Sequence, residues 1–326
     1  MKVCFLFPEN VRDYYGRSAL SLLHEKTSLD SVVEQCDDTV DVVFSACVSR
    51  RATIRKLKDK YPRAIFVNYL WDLPFWEAQN ISTKRKSIFV RSMSRKQCYV
   101  EYLRLADLPL SASTTTRWEV LKNYQINTQV LQLFFPSIDI TPEYRQAGKI
   151  RRIISVGRLA PYKRFDVLIS AVSLMDESER MPVLIIGEGS EKERLKSLAE
   201  ESGVSLSLPG WVDRSETLSL VGESTVTVFP SVMEGNPGWG PCESTWLGVP
   251  AIMADIPETR EYFGDDGLYF LPDDPQSLAK ELAALINDSS LRSEVVNQCQ
   301  RRITFYTVEE GLKRFEDFIH SLEPRL

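Results

Sequence analysis

Residues Val226–Ile252, VTVFPSVMEGNPGWGPCESTWLGVPAI, decide how the rest of the sequence is interpreted. The opening run VTVF predicts a buried strand, and a loop rich in glycine and proline follows it, bracketed by Glu234 and Glu243. A short helical turn at Glu243–Leu247 and a second apolar run, Val249–Met253, complete the stretch. Ligands of open α/β sheets bind outside the C-terminal ends of the strands, so the two carboxylates lie at a candidate ligand site.

Length and composition limit the class of protein. The 326 residues are too many for one typical domain, and two are expected. No apolar run approaches the roughly 18–20 residues of a transmembrane helix, and the N-terminus predicts a first strand rather than a signal peptide. The six cysteines are scattered, without the spacing of a zinc site or a disulfide framework, which favours a reducing, cytoplasmic compartment. Because the sequence has only two histidines, it gives little support to a catalytic site of the Ser-His-Asp or Cys-His type.

The net charge of −5 is unevenly distributed, because residues 1–140 carry 20 Lys and Arg against 15 Asp and Glu. A basic first half favours a phosphorylated acceptor or peripheral contact with an anionic membrane, and solvated surface charge explains any one cluster equally well. No nucleic-acid partner is expected. The candidate membrane contacts are basic and aromatic: Lys84, Arg85, Lys86, Arg91, Arg95 and Lys96, near Phe75, Trp76 and Phe89.

Strands alternate with helices through both halves of the chain, which predicts an α/β fold with parallel sheets covered on both faces. The polar segment Ile140–Lys149 is placed as the linker. The expected organisation is two Rossmann-like, doubly wound domains facing a central cleft. They span residues 1–140 and 150–307, and a C-terminal helix within 308–326 crosses back to the first domain.

Three loops after predicted strands of the second half carry candidate binding residues. In GRLAPYK, Arg158 and Lys163 can clamp a diphosphate, although an Arg-x4-Lys pair alone is as often surface charge. The loop Gly187-Glu188-Gly189-Ser190 follows an apolar strand and precedes a predicted helix. This position fits either a nucleotide-binding loop or a tight turn between strand and helix. Trp211 either stacks on a base or is a half-buried structural residue.

Together these loops resemble the nucleotide-sugar domain of retaining GT-B-fold glycosyltransferases, the large group 1 family related to glycogen synthase and sucrose synthase. The resemblance rests on VGRLAPYKRFDVLISA, LIIGEGSEKERLKSLA, LPGWV, VFPSVMEG, ESTWLGVPAIMADIPETREYF and GLYFLPDDPQSLAKEL, about half of the chain in order. The first half resembles the family far less.

The resemblance implies a role for each matching position. Arg158 and Lys163 match the basic pair that holds the donor diphosphate, Glu234 the glutamate by the donor sugar, and Glu243 the glutamate that binds the ribose hydroxyls. The remaining implied donor-binding positions are Gly16, Gly157, Gly187, Gly189, Trp211, Val212, Asn236, Pro237, Gly238, Trp239 and Gly240.

The sequence departs from the family at three points. Eight residues separate Glu234 and Glu243 where the family usually has seven. The first loop has only Gly16 where relatives have two adjacent glycines, and no histidine follows the third strand. Asp72 is the candidate there for contacting acceptor or donor sugar, and a capping or salt-bridging aspartate is an equal alternative.

The function that the resemblance implies is retaining transfer of a hexose, from UDP-glucose or next GDP-mannose, to a glycan or lipid-linked saccharide in bacterial surface polysaccharide synthesis. No metal or other cofactor is expected, because Arg158 and Lys163 supply the positive charge. The protein is expected in the cytoplasm, with peripheral contact at the inner face of the membrane as a further expectation. One alternative is a non-catalytic nucleotide-sugar-binding subunit. The other is a two-domain solute-binding protein, and the absence of a predicted signal peptide argues against this second alternative.

Overall fold

A computed structural model describes residues 1–6, 14–33, 37–46, 51–71, 100–133, 149–234 and 239–325. The chain divides into two compact units. The first comprises Met1–Ile138 and Phe305–Leu326, and the second comprises Asp139–Thr304. Most of the proposed linker, residues 140–148, lies outside the described residues.

The first unit contains a six-stranded parallel sheet with strand order β2-β1-β3-β4-β5-β6. Since β2 lies on one side of β1 and the later strands lie on the other, the sheet is doubly wound. The sequence predicts five of these strands to within a few residues and misses β2, a short strand with no fully buried side chain. The strands are β1 Lys2–Leu6, β2 Asp30–Val33, β3 Val42–Ser45, β4 Ile65–Leu70, β5 Leu108–Ser111 and β6 Gln129–Val130.

Alternate residues of β1 fill two separate cores on the two faces of this sheet. Val3 and Phe5 belong to one cluster, whereas Cys4 and Leu6 belong to the other. Both faces are therefore covered, which explains why β1 is a continuous apolar run rather than an alternating one. The helices of the unit are α1 Tyr14–Lys26, α2 Arg51–Lys60, α3 Thr114–Tyr124 and the C-terminal α11 Val308–His320; residues 100–105 are also helical.

The C-terminal helix α11 packs into the core of the first unit, although about 180 residues of chain separate it from β6. Phe315 is fully buried, and its ring lies 5.7 Å from that of Phe5 and 5.3 Å from that of Phe44. Burying one such side chain contributes roughly 1.5–3 kcal/mol. The Glu316 carboxylate adds hydrogen bonds from the Thr27 hydroxyl and from the backbone and hydroxyl of Ser28.

The second unit contains another six-stranded parallel sheet, with strand order β12-β11-β10-β7-β8-β9. The chain builds β7, β8 and β9 in one direction and then returns to the other side of β7 to build β10, β11 and β12. The strands are β7 Ile150–Val156, β8 Val183–Ile186, β9 Leu206–Gly210, β10 Ser224–Phe229, β11 Ala251–Ala254 and β12 Leu268–Phe270. The sequence predicts all six, most of them from short runs rich in apolar residues, such as VLII in β8.

The helices of the second unit follow the predicted rhythm, with two differences. The helix predicted at Glu243–Leu247 begins earlier, at Trp239, and a helix that the sequence analysis did not predict covers Pro257–Phe263. The helices are α4 Phe165–Leu174, α5 Lys192–Glu201, α6 Arg214–Glu223, α7 Trp239–Trp246, α8 Pro257–Phe263, α9 Pro275–Asn287 and α10 Ser289–Ile303.

One cysteine departs from the expectation of reduced thiols. Cys4 in β1 is disulfide-bonded, whereas Cys242 and Cys299 of the second unit are free and buried. The sequence could not predict this bridge, because disulfide pairing depends on the distance between two Cα atoms in the fold and not on spacing along the chain. None of the helices among the described residues has the length and hydropathy to cross a membrane.

Candidate functional site in the second unit

The neighbouring strands β7 and β10 define the point at which the winding of the second sheet reverses. They pair in parallel, with Ile154 opposite Thr227, so the loops that follow them leave from the same edge of the sheet. The connection after β7 leads to one side of the sheet and the connection after β10 leads to the other. Such a reversal opens a crevice at the C-terminal ends of the strands, where ligands of open α/β sheets bind.

The loop after β7 presents Lys163 on a short 3-10 turn, Pro161–Lys163. The turn ends at Arg164, whose φ of 48° lies in the left-handed region. Lys163 Nζ donates a hydrogen bond of 2.5 Å to Oε1 of Glu234, which follows β10. A backbone hydrogen bond of 3.0 Å from Val232 N–H to the Tyr162 carbonyl joins the same two loops. Two independent contacts therefore hold the lysine and the glutamate together at the winding reversal.

The Lys163–Glu234 pair is shielded from solvent and lies in a loop that carries further cations. The side chains of Lys163 and Glu234 are each only 16% exposed, so their charges are poorly screened by solvent. Arg158 lies on the same loop and is exposed. The loop after β7 carries three cations, Arg158, Lys163 and Arg164; Lys163 pairs with Glu234, and Arg164 pairs with Asp166 and Asp273.

Glycines of the loop after β8 are required by contacts with neighbouring loops. Gly187 has φ 145°, and a Cβ on it would lie 1.9 Å from the Gly157 carbonyl oxygen. Gly189 has φ 159°, and its Cβ would lie 2.1 Å from the Leu159 carbonyl oxygen. The two loops are joined by a 2.9 Å hydrogen bond from Leu159 N–H to the Glu188 carbonyl. The close approach of two backbones explains this glycine pair without any ligand.

Glu243, the second of the two bracketing acids, lies in α7 and pairs with Arg214 at the start of α6. Arg214 Nη1 donates a hydrogen bond of 3.0 Å to Oε1 of Glu243, whose side chain is 13% exposed. Burial raises the pKa of Glu243, and the charge and hydrogen bond of Arg214 counteract this effect. The two acids of the opening sequence stretch therefore each have their own basic partner.

The structure corrects the interpretation of Trp239 and Gly240 as loop residues, because both belong to the first turn of α7. A Cβ on Gly240 would lie 2.3 Å from the ring of Phe229, at the end of β10. Glycine here permits the helix to start against the strand, which explains why a glycine-rich sequence is helical. The first turn of α7 also supplies backbone N–H groups that the helix itself does not use.

Trp211 follows β9 directly, and its side chain is 75% exposed. This exposure contradicts the alternative of a half-buried structural tryptophan and leaves the indole ring accessible to a ligand. Val212 beside it is partly buried against the cluster formed by Ile154 and its neighbours.

The remaining predicted positions lie in α1 or outside the described residues. Gly16 was expected in a loop, but it lies inside α1, which begins at Tyr14. Asp72 and the residues Asn236, Pro237 and Gly238 lie outside the described residues. Within the described part of the chain, no group of three or more His, Cys, Asp or Glu side chains is arranged to hold a metal ion.

Arg214 was not among the predicted site residues. It stands 29 residues before its partner, and no periodicity connects the two. The available signal was its position in GWVDRSE, where a cation opens a predicted helix, the end at which acids are usually favoured.

The family model for glycosyl transferases group 1 matches residues 139–302, half of the chain and nearly all of the second unit. The chain belongs to this family. The resemblance seen in the loops of the second half is thereby confirmed, and the match contains the Lys163–Glu234 and Arg214–Glu243 pairs of this group 1 glycosyltransferase.

Two curated relatives are mannosyltransferases. The O-antigen chain mannosyltransferase RfbU of Salmonella typhimurium is 22% identical over 206 residues, which are 63% of this chain and 56% of RfbU. The serotype-specific mannosyltransferase WbdA of Escherichia coli is 24% identical over 219 residues, which are 64% of this chain and 25% of WbdA. The chain thus spans about half the length of the first relative that it matches and a quarter of the second.

A solved structure matches the whole chain. HepE of Anabaena, in complex with UDP, has a TM-score of 0.69 and 15% identity, and the match covers 99% of this chain and 100% of HepE. At this identity the likeness shows the fold alone, and that fold is GT-B, as the sequence predicts.

Proposed function

We propose that this group 1 glycosyltransferase moves a hexose from a nucleoside-diphosphate sugar to a hydroxyl of a glycan or lipid-linked saccharide, with retention of configuration. The observation that carries the proposal is the ion pair between Lys163 and Glu234, held at the winding reversal of the second sheet. A cation and an acid that meet there provide one charge for the diphosphate of the donor and one acceptor for its sugar hydroxyls.

Donor binding is proposed to follow the edge of the second sheet. Arg158 and Lys163 bind the diphosphate, because the forked guanidinium and the ammonium are both strong donors to phosphate oxygens. Glu234 faces the sugar and Glu243 accepts hydrogen bonds from the ribose. The exposed indole of Trp211 stacks on the base.

In the proposed reaction, the acceptor oxygen bonds to the anomeric carbon while the bond from that carbon to the diphosphate breaks. The proton of the acceptor hydroxyl leaves with the diphosphate, from the face at which the acceptor attacks. Negative charge grows on the diphosphate, and Arg158 and Lys163 stabilise it from positions fixed before the reaction. We propose that no metal ion is required, because these two side chains supply the positive charge.

The donor is proposed to be UDP-glucose, with GDP-mannose as the second choice. HepE is solved with UDP-glucose as well as with UDP, whereas RfbU and WbdA are named as mannosyltransferases. O-antigen synthesis by RfbU favours an acceptor in bacterial surface polysaccharide for this chain too. Peripheral contact with an anionic membrane remains a proposal, since the basic and aromatic residues behind it lie outside the described residues.

The test measures release of nucleoside diphosphate from UDP-glucose and from GDP-mannose, together with the melting temperature of the chain in millimolar UDP or GDP. Lys163→Ala should lower turnover by roughly 100-fold or more. The control Lys196→Ala removes an exposed lysine of α5 and should leave turnover unchanged. If no nucleoside diphosphate raises the melting temperature, the proposal is wrong. Binding without turnover would favour the alternative of a non-catalytic nucleotide-sugar-binding subunit.

A further inference from the structure

We propose that Arg214 is a positioning residue for the nucleotide site, which holds the Glu243 carboxylate charged and in one orientation so that it selects ribose over deoxyribose. This inference rests on the proposed function, because it concerns how the same site recognises its nucleotide. Arg214 acts through Glu243 and does not itself contact the donor.

The pairing places Arg214 where it controls the acid. Its Nη1 donates a hydrogen bond of 3.0 Å to Oε1 of Glu243. The acid is 13% exposed and the arginine 35% exposed, so the contact is partly buried. A carboxylate in such a place is readily protonated, because burial disfavours its charged form. The charge and hydrogen bond of the neighbouring guanidinium counteract part of this effect on the pKa of Glu243.

The backbone of Arg214 is itself fixed by a helix cap. Asp213 is the N-cap of α6, and its Oδ1 accepts hydrogen bonds from Glu216 N–H at 3.1 Å and from the Ser215 hydroxyl at 2.7 Å. Arg214 is therefore the first residue of a well-capped helix. The guanidinium is carried on a rigid element, as a group that orients another side chain requires.

The arrangement is unfavourable for stability alone. A cation at the first position of a helix lies at the positive end of the helix dipole, where an acid would be favoured. The second terminal nitrogen of Arg214, Nη2, is buried and finds no hydrogen-bond acceptor among the described residues. Leaving a buried donor unpaired destabilises the fold. These two disadvantages are expected where a residue serves a site rather than the stability of the fold.

The hydroxyl groups of ribose explain why a negative charge on Glu243 would matter for nucleotide recognition. A cis-diol offers two O–H donors, and an ionised carboxylate accepts both of them, whereas a protonated carboxyl uses one oxygen as a donor. Hydrogen bonds to a charged acceptor are about twice as strong as neutral ones. A Glu243 that is charged and held still should therefore discriminate strongly against a sugar without these hydroxyls.

The experiment compares dissociation constants of UDP and 2′,3′-dideoxy-UDP for the full chain by calorimetry, with GDP and its dideoxy form used in parallel. The wild-type chain should bind the ribose form roughly 10–100-fold more tightly. Arg214→Gln, which keeps the size and removes the charge, should reduce this ratio to roughly that of Glu243→Gln. The double variant should lose no more, because the two residues act as one unit. Arg151→Gln, at the opposite end of β7, should keep the wild-type ratio.

Each outcome decides the inference. A partly restored ratio in Arg214→Lys would support it, because lysine keeps the charge and loses the fork. An unchanged ratio in Arg214→Gln would overturn it, and so would an equal loss of affinity for both nucleotides, which would mean that Arg214 touches the nucleotide elsewhere. If Arg214→Gln lowers the melting temperature but leaves the ratio of the two dissociation constants unchanged, Arg214 has only a structural role. Failure of the wild-type chain to bind either nucleoside diphosphate would overturn the proposed function itself.

Discussion

Lys163 Nζ and Glu234 Oε1 lie 2.5 Å apart at the reversal between β7 and β10, with each side chain only 16% exposed. The lysine proposed to hold the diphosphate is thus already paired with the acid proposed to face the donor sugar. A diphosphate that binds to Lys163 must either share its ammonium group with the Glu234 carboxylate or displace that carboxylate. Affinity for the nucleoside diphosphate and turnover of the sugar donor should therefore respond in opposite directions when the acid is removed.

Glu234→Gln should bind UDP or GDP roughly 2–5-fold more tightly, because the ammonium of Lys163 is no longer neutralised by a neighbouring carboxylate. The same variant should turn over the sugar donor more slowly, since the acceptor for the sugar hydroxyls is weakened. Calorimetry and nucleotide-release kinetics measure the two effects. Glu193→Gln, on the exposed face of α5, is the control. Weaker binding of the nucleoside diphosphate by Glu234→Gln would contradict the idea that Glu234 and the diphosphate compete for Lys163.

Trp211→Ala should weaken binding of UDP and GDP by roughly 5–100-fold, because stacking on an aromatic side chain contributes about 1–3 kcal/mol per base. The melting temperature without nucleotide should change little, since the side chain is 75% exposed. Trp118→Ala removes an indole that is 61% exposed on α3 of the first unit and should not affect affinity. Equal affinity of the Trp211→Ala variant and the wild-type chain would exclude the stacking role.

Gly187→Ala and Gly189→Ala should each lower the free energy of unfolding by about 3 kcal/mol or more, because the new Cβ overlaps a backbone carbonyl. The melting temperature of the second unit should fall by about 6 °C or more. Gly203→Ala is the matched control, since its φ is 66° and nothing lies within 4 Å of the added Cβ. Only the cost of the left-handed conformation, about 1–2 kcal/mol, is expected there. Similar losses in all three variants would mean that backbone strain, and not the contact between loops, requires the glycines.

Glu316→Gln should destabilise the first unit by about 1–3 kcal/mol at neutral pH, because three donors from Thr27 and Ser28 lose a charged acceptor. Burial raises the pKa of Glu316, but these hydrogen bonds outweigh it and lower the pKa below the ordinary value of 4.5.

The sign of the pH dependence follows from the lowered pKa of Glu316 in the folded chain. Its stabilisation is present above pH 4.5 and is lost as the pH falls through the folded value. The difference in melting temperature between the wild-type chain and Glu316→Gln should therefore narrow below pH 4.5. Asp317→Asn, at the exposed neighbouring position, should show no such narrowing. A difference that is constant with pH would contradict the role of the charge.

Most strands of the second unit were predictable because they contain short runs rich in apolar residues, such as VLII in β8 and AIMA in β11. The start of α7 was not predictable. Glycine and proline around Trp239 indicate a loop, and only the three-dimensional contact between Gly240 and Phe229 explains why a helix begins there. Local propensity was overruled by tertiary packing.

The acids and cations of the site were predictable as residues but not as pairs. Sequence placed Lys163 and Glu234 after different strands, and only the sheet order makes those strands neighbours. Glu243 was assigned to the ribose without its partner, because Arg214 is remote in sequence. Pairing between loops depends on strand order, which periodicity along one segment does not contain.

A crystal structure of the chain with UDP or GDP bound would show where the nucleotide lies. We expect the diphosphate at the reversal between β7 and β10, with one of its oxygens within hydrogen-bonding distance of Lys163 Nζ and the ribose hydroxyls on the Glu243 carboxylate. A nucleotide bound away from these strand ends, with the Lys163–Glu234 ion pair intact, would contradict this expectation.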